Sequence, residues 1–224
     1  MIVQSTPVRT ISIKTGYLRA KRILDITFTL LIAPLVILVG IVVAVCIKLT
    51  SEGPIFFRQQ RIGQDGVLFE MLKFRSMYVH SDQMAHREKI LLYMNGQKLN
   101  EDGTASMAYK DIHDPRITRI GRFIRKTSLD EIPQFWNVLK GQMTLVGPRP
   151  PLPYEVELYT SHEWLRMVGK PGLTGTWQVY GRSRVTFQSM VEMDIDYLEH
   201  QSIVTDLKLI ILTVPVMIIA RGGA

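Results

Sequence analysis

The chain has 224 residues, of which 46% are hydrophobic and 21% charged, with a net charge of +7 and a single cysteine. One cysteine excludes a disulfide framework and a Cys/His metal cluster, and it indicates a reducing compartment. The excess of positive charge favours anionic partners, which are nucleic acid, anionic lipid head groups or phosphorylated small molecules.

An uncharged apolar run from Ile26 to Ile47 dominates the N-terminal part of the chain. The run is long enough to cross a bilayer as a straight helix. Basic residues flank it on both sides, however, and this distribution suits a bent segment that enters and leaves on one face. Pro34 lies in the first half of the run, where it removes a backbone hydrogen bond and favours a bend. The residues alone leave both arrangements open and slightly favour the straight span.

Residues 54–63 and 67–75 are predicted to form two strands, because each is rich in β-formers and Gln64-Asp65-Gly66 provides a turn between them. Lys73 and Arg75 are two residues apart and therefore point to the same face of the second strand. Both side chains can reach a phosphate from there. A solvated basic strand edge explains them equally well.

Further helices are predicted over residues 82–94, 154–167 and 187–198 from their apolar spacing and their stop signals. Acidic residues on the third of these indicate a solvated face; they are Glu192, Asp194, Asp196 and Glu199. The last apolar run, over residues 209–220, is too short to span a bilayer. We therefore expect a buried or interfacial helix there.

The most informative stretch is the acid pair Asp130-Glu131, which opens a helical pattern after a ladder of arginines spaced three apart. The arginines are Arg116, Arg119, Arg122 and Arg125, and the predicted buried face of the next helix consists of Ile132, Phe135, Trp136 and Leu139. Acids at the foot of such a ladder suit chemistry on a phosphorylated, metal-bound substrate. A capping box, Ser128-x-x-Glu131, explains the same acids equally well.

Arg149 lies between Pro148 and Pro150, and the two prolines restrict its backbone. This rigidity suits a guanidinium that must hold an oxyanion with two parallel hydrogen bonds. A stiff loop that carries a surface arginine is the alternative interpretation.

Several motifs together resemble the bacterial sugar transferases, the monotopic phosphoglycosyl transferases of polyprenol-linked glycan assembly. The resemblance is carried by residues 128–134, 137–141 and 145–150, and it extends to residues 21–25, 53–57, 73–77, 114–118 and 170–175. It covers nearly the whole chain from Lys21 onward.

The resemblance implies a two-step reaction. Asp130 is expected to attack the sugar-bearing phosphate of a UDP-sugar and to expel UMP. A membrane polyprenyl phosphate, such as undecaprenyl phosphate, then takes the phosphosugar from the carboxylate. Glu131, with Asp130, is expected to hold Mg²⁺. The expected phosphate- or nucleotide-binding residues are Arg125, Arg149, Arg182, Lys73 and Arg75, and Asp206 matches an acid near the site.

The resemblance also implies an architecture, which is an α+β fold that is mainly helical with one small β-hairpin. Residues 1–22 form a basic N-terminal segment, residues 23–50 a re-entrant membrane helix bent at Pro34, and residues 51–224 a catalytic domain with interfacial helices. This domain is expected at the cytosolic face of a bacterial inner membrane, in contact with lipid. Ala33 stands where members often carry serine, so the bend lacks a hydroxyl for the freed backbone group. Residues 79–113 are longer than in the smallest members and are candidates for sugar selection or homodimer contacts.

Two other functions fit the charge and the apolar run. The first is a membrane-anchored basic protein that binds nucleic acid or anionic lipid. This function does not explain the carboxylates beside the arginines, because carboxylates weaken the binding of polyanions. We therefore expect no nucleic-acid partner. A membrane-tethered Mg²⁺-dependent hydrolase would use water in place of the polyprenyl phosphate.

Overall fold

The computed structural model describes residue 11 and residues 14–79, 84–94, 114–181 and 185–219. Within these ranges the chain is mainly helical, and four short strands form two separate two-stranded sheets. The helices are α1 (Thr15–Thr50), α2 (Met84–Met94), α3 (Arg119–Lys126), α4 (Gln134–Leu139), α5 (Pro153–Val156), α6 (Ser161–Trp164), α7 (Phe187–His200) and α8 (Ile203–Ile219). The strands are β1 (Phe56–Ile62), β2 (Leu68–Phe74), β3 (Thr144–Val146) and β4 (Gly172–Thr174).

Helix α1 contains the apolar run and continues without interruption through Pro34. Its middle part is exposed: Leu31 retains 78% and Leu35 65% of their accessible surface. Among the described residues, α1 is the helix whose length and apolar composition would allow it to cross a membrane. The apolar helix is therefore confirmed, while the bend at Pro34 and its neighbour Ala33 stays a prediction.

Both ends of α1 pack on the rest of the protein. Asp25 and Thr29 are buried near the beginning of the helix, and Val43 and Ile47 are buried near its end. Val43 and Ile47 form an apolar cluster with Phe74 of β2 and with a residue of α3. The rise between Asp25 and Val43 is about 27 Å at 1.5 Å per residue. The helix thus contacts the same body at two widely separated places.

Strands β1 and β2 form the predicted antiparallel hairpin, with Phe56 opposite Phe74 and Ile62 opposite Leu68. A 3₁₀ turn over Gln64–Gly66 connects them, and Asp65 adopts a left-handed conformation there with φ 54°. Phe69 and Met71 point into the core from alternate positions of β2. Phe74, at the end of the strand, is buried instead in the cluster with Val43 and Ile47. The hairpin prediction is confirmed within two residues at each end.

The second sheet, β3 with β4, is parallel and was absent from the prediction. Each strand has three residues, too few to show an alternating pattern. The loop after β3 lies so close to the start of β4 that a Cβ atom on Gly172 would stand 2.1 Å from the Gly147 nitrogen. Close backbone contact, rather than side-chain patterning, therefore requires glycine here.

The helix predicted over residues 154–167 is divided in the structure into α5, α6 and a 3₁₀ turn at Leu165–Met167. Thr160 interrupts it and begins α6 with a capping box completed by Glu163. The turn places Arg166 in the core, where it forms an ion pair with Asp194 of α7. Asp194 is 1% exposed, so the prediction that it lies on a solvated face is wrong.

Candidate active site

Helix α3 carries three of the four predicted arginines. Thr118 caps its beginning by accepting a hydrogen bond from the backbone nitrogen of Gly121. Arg119 and Arg122 are exposed and Arg125 is half-buried in the last turn. Arg116 precedes the helix and forms an ion pair with Asp114, which holds the pKa of the Asp114 carboxyl below its usual range. The helix thus carries positive charge towards the turn that follows it.

The acid pair lies on a 3₁₀ turn, Leu129–Glu131, between α3 and α4. Ser128 precedes the turn in a left-handed conformation with φ 56°, and its side chain caps no helix nitrogen. The capping-box explanation of Asp130 and Glu131 is therefore wrong. Asp130 is 5% exposed, so its carboxylate is buried at a sharp, conformationally restricted corner.

Strand β2 supplies a basic partner to this turn. The Nζ atom of Lys73 donates to Oε1 of Glu131 at 2.9 Å. The side chain of Lys73 retains 21% of its accessible surface and that of Glu131 retains 28%. The structure therefore places Lys73 beside Glu131 and the adjacent Asp130, and the site roles of these residues stay predictions.

Helix α4 buries a different face from the one predicted. Trp136 is 53% exposed, with the Lys140 Nζ atom 5.6 Å from its ring centroid, whereas Gln134, Asn137 and Val138 are buried. The Asn137 amide nitrogen donates to the Glu70 carbonyl at 2.7 Å, and its oxygen accepts from the Leu72 nitrogen at 3.1 Å. A polar side chain is buried here because it satisfies two backbone groups of β2.

Replacing Asn137 with alanine is expected to destabilise the protein by about 2–3 kcal/mol, because both β2 backbone groups lose their partner in the interior. Chemical denaturation of the detergent-solubilised protein measures this change. Gln142→Ala is the matched control, because it removes only the bond between Gln142 and Asn137. Equal stability of the Asn137→Ala variant and the control would contradict the proposed attachment of α4 to β2.

The first turns of α1 hold the other end of α4. Arg22 donates to the carbonyl oxygens of Val138 and Leu139, both at 2.6 Å. Cations at a helix C-terminus stabilise its unsatisfied carbonyl groups. Three residues later, Asp25 accepts hydrogen bonds from the Thr144 hydroxyl and the Leu145 nitrogen of β3. The sequence motif of Arg22 and Asp25 thus attaches the apolar helix to the elements around the acid pair, a role that sequence reasoning missed.

Arg149 follows β3 and forms an ion pair with Glu155 of α5 at 3.0 Å. Burial disfavours the charged form of Glu155, but the guanidinium groups of Arg149 and Arg61 hold its pKa below the usual range. The backbone carbonyl of Arg149 accepts a hydrogen bond from Arg166. The loop is therefore fixed by charge pairing as well as by its prolines.

Two other predicted site residues, Arg75 and Asp206, have contacts of a different kind. Arg75 is 5% exposed and donates to the carbonyl oxygens of Ser51 and Glu52 after α1. Asp206 is fully buried and accepts a hydrogen bond from Lys21 at 2.7 Å. Arg182 lies outside the described residues. The substrate-binding roles of these three stay predictions.

The donor set at the turn fits a magnesium ion shared with a substrate. Mg²⁺ is commonly held by one or two carboxylates together with substrate phosphates and water. Asp130 and Glu131 supply two carboxylates on adjacent residues. In the described ranges no three His, Cys, Asp or Glu side chains converge, so substrate phosphates and water would supply the remaining ligands of the ion.

The sequence of this chain is similar to those of known proteins. The family model described as bacterial sugar transferase matches residues 16–220. The galactosyl transferase CpsE of Streptococcus agalactiae is 43% identical over 94% of this chain. The UDP-glucose:undecaprenyl-phosphate glucose-1-phosphate transferase of Klebsiella pneumoniae is 40% identical over 87% of it. The exopolysaccharide production protein ExoY of Sinorhizobium fredii is 34% identical over 94%.

These relatives differ in how much of their own length the chain covers. The chain spans 44% of the Streptococcus protein and 39% of the Klebsiella protein. It spans 92% of the Sinorhizobium protein. The similarity therefore includes relatives of about the size of this chain and relatives that are more than twice as long.

Proposed function

The chain belongs to the bacterial sugar transferase family, and from this premise we propose that it transfers a sugar 1-phosphate from a UDP-sugar to a polyprenyl phosphate. The observation that carries the proposal is the position of the buried Asp130 and the half-buried Glu131 on one short turn, beside Lys73 and at the end of the arginine helix α3. The names of two relatives, a galactosyl transferase and a UDP-glucose transferase, make UDP-galactose and UDP-glucose the first donors to test.

In the first step, a carboxylate oxygen of Asp130 bonds to the phosphorus that carries the sugar. The bond between that phosphorus and the oxygen bridging to UMP breaks, and UMP leaves with the electron pair. A carboxylate is an established covalent nucleophile in enzymes. Its location on a restricted turn supports this role, because a fixed position reduces the entropic cost of reaching the attacking geometry.

In the second step, an oxygen of the polyprenyl phosphate attacks the same phosphorus. The bond to Asp130 breaks, the carboxylate is regenerated, and a polyprenyl diphosphate sugar forms. This product begins the assembly of a polysaccharide, in keeping with the exopolysaccharide protein among the relatives.

An anionic nucleophile that approaches a diphosphate needs compensating positive charge. Lys73 and Arg125 lie on the two elements adjoining the turn, and Arg149 is held rigidly on its loop. Asp130 and Glu131 would hold Mg²⁺, which when bound neutralises charge on the diphosphate and on the departing phosphate. Lys73 is already paired with Glu131, so it is placed to move to a phosphate when Glu131 takes another partner.

An apolar cavity of about 300 Å³ adjoins the acid pair and supports a lipid acceptor. Its lining consists of Leu38, Val39, Val42, Val43 and Cys46 of α1, of Ile120, Phe123 and Ile124 of α3, and of Leu129. Leu129 immediately precedes Asp130. A chain that lies between the apolar helix and the arginine helix would bring its phosphate to the nucleophile.

The packing of α1 supports an association with one face of the membrane. The body of the protein contacts Asp25 and Val43, which are about 27 Å apart along the helix, close to the thickness of a bilayer core. A straight span would place these two contacts on opposite sides of the bilayer. We therefore favour a re-entrant or lipid-embedded α1, with the acid pair at the cytosolic face of the bacterial inner membrane.

A transfer assay tests the proposal. Purified protein is incubated with Mg²⁺, undecaprenyl phosphate and UDP-galactose or UDP-glucose. We expect UMP and a lipid-linked phosphosugar in equal amounts, and loss of both products when EDTA removes the metal. Free sugar 1-phosphate as the product, at a rate that the lipid acceptor does not change, would instead establish a hydrolase.

A further inference from the structure

A second cavity lies at the opposite end of α4 from the acid pair, beside the first turns of α1. Its volume is about 120 Å³, and Lys21, Arg22 and Lys170 are among the residues that line it. The cavity lies at this end of α4 because Arg22, one of its lining residues, also donates to the carbonyl groups at the end of that helix. None of the lining residues belongs to the predicted catalytic or substrate-binding set.

Most charges around this cavity are already paired. Lys21 donates to Asp206 at 2.7 Å, and Arg22 donates to two carbonyl groups. Asp25 is the one carboxylate among the described lining residues, and it accepts from Thr144 and Leu145. The Nζ atom of Lys170 differs from these groups, because it forms no hydrogen bond or ion pair with any residue in the described ranges.

The surroundings of Lys170 are unfavourable for an isolated cation. Its side chain is half-buried, and burial, followed by the positive charge of Arg22, lowers its pKa. An anion in the cavity would relieve both effects, because it would supply the missing hydrogen-bond partner and the opposite charge. Gln64 and Gln201 on the wall each use one amide hydrogen on a backbone carbonyl and retain a second for such a ligand.

We propose that this cavity binds a phosphate group between Lys170 and Arg22. The uncharged run of α1 begins at Ile26, only four residues after Arg22, so the cavity lies where the helix would pass from the hydrocarbon to the head groups. The phosphate can belong to an anionic phospholipid or to a soluble compound. Its binding would hold the beginning of α1 at the membrane surface, and this inference does not depend on the transfer reaction.

Differential acetylation of lysines, read by mass spectrometry of peptides from the full chain, tests the site. One sample in detergent is titrated with inorganic phosphate. Two further samples are nanodiscs of phosphatidylcholine, with and without phosphatidylglycerol. We expect bound phosphate to slow acetylation of Lys170 about tenfold for each unit by which its pKa rises. Acetylation of Lys208, an exposed lysine on α8, is the internal control and should not change.

The arms of the experiment distinguish the source of the phosphate. Protection by both ligands supports a general phosphate site, protection by phosphatidylglycerol alone supports a lipid head group, and protection by inorganic phosphate alone supports a soluble ligand. Phosphatidylglycerol should also raise the unfolding temperature of the wild type and of Lys208→Gln, but not of Lys170→Gln. Unchanged acetylation of Lys170 with either ligand, in folded protein, would overturn the proposal. No donor sugar is present, so this result is separate from that of the transfer assay.

Discussion

Replacing Asp130 with asparagine is expected to lower the rate of UMP release by at least about 10³-fold, which corresponds to roughly 4 kcal/mol of activation free energy. The amide of asparagine has nearly the same shape as the carboxylate but is a very poor nucleophile towards phosphorus. Because Asp130 is buried on a short turn, a change of shape would also disturb the fold, and asparagine avoids this. The measurement is UMP release from an accepted UDP-sugar under single-turnover conditions.

Two further variants make this result specific. Asp65→Asn changes an exposed carboxylate at the tip of the hairpin and should leave the rate unchanged. Glu131→Gln should lower the rate and raise the concentration of Mg²⁺ needed for half-maximal activity, since Glu131 is assigned to the metal. UMP release by Asp130→Asn at a rate within tenfold of the wild type would exclude Asp130 as the nucleophile.

The largest effect on stability is expected from the buried ion pair between Arg166 and Asp194. Both residues are 1% exposed, and Arg166 also donates to the Tyr159 hydroxyl and to the Arg149 carbonyl. Arg166→Met leaves the Asp194 charge without its partner in the interior, which costs about 3–5 kcal/mol. Chemical denaturation should show this loss, and activity should also fall because the Arg149 loop loses one of its attachments.

Arg58→Met is the control, because Arg58 pairs with Glu70 on the surface, where the arginine side chain is 66% exposed. An exposed pair contributes about 0–1 kcal/mol. A double variant, Arg166→Met with Asp194→Leu, should recover much of the stability lost in Arg166→Met, since it leaves no unpaired charge in the core. Equal destabilisation by Arg58→Met and Arg166→Met would show that the buried pair has no special role.

Local patterns in the sequence were sufficient for the parts of the fold that depend on neighbouring residues. The apolar run predicted α1, and the turn at Gln64-Asp65-Gly66 predicted the hairpin, because period and turn chemistry act over short distances. The motifs assigned Lys73 and Glu131 to the same site, and in the structure the two side chains form an ion pair although 58 residues separate them.

The failures have physical causes that a single sequence does not reveal. Trp136 was assigned to a buried face because it is apolar, but the adjacent Asn137 takes the buried position, where it bonds to the backbone of β2. Asp194 was assigned to solvent because it is charged, but Arg166, 28 residues earlier, neutralises it in the core. Each error concerns a polar group whose partner is distant in the chain, and such a partner is known only from the tertiary structure.

The most direct test of the proposed mechanism is the intact mass of the protein after incubation with Mg²⁺ and a UDP-sugar, without any lipid acceptor. We expect an increase equal to one phosphosugar in the wild type and no increase in Asp130→Asn. Adding undecaprenyl phosphate should then return the wild type to its original mass. UMP release by the wild type with no mass increase, or an adduct that persists in Asp130→Asn, would contradict a covalent intermediate on Asp130.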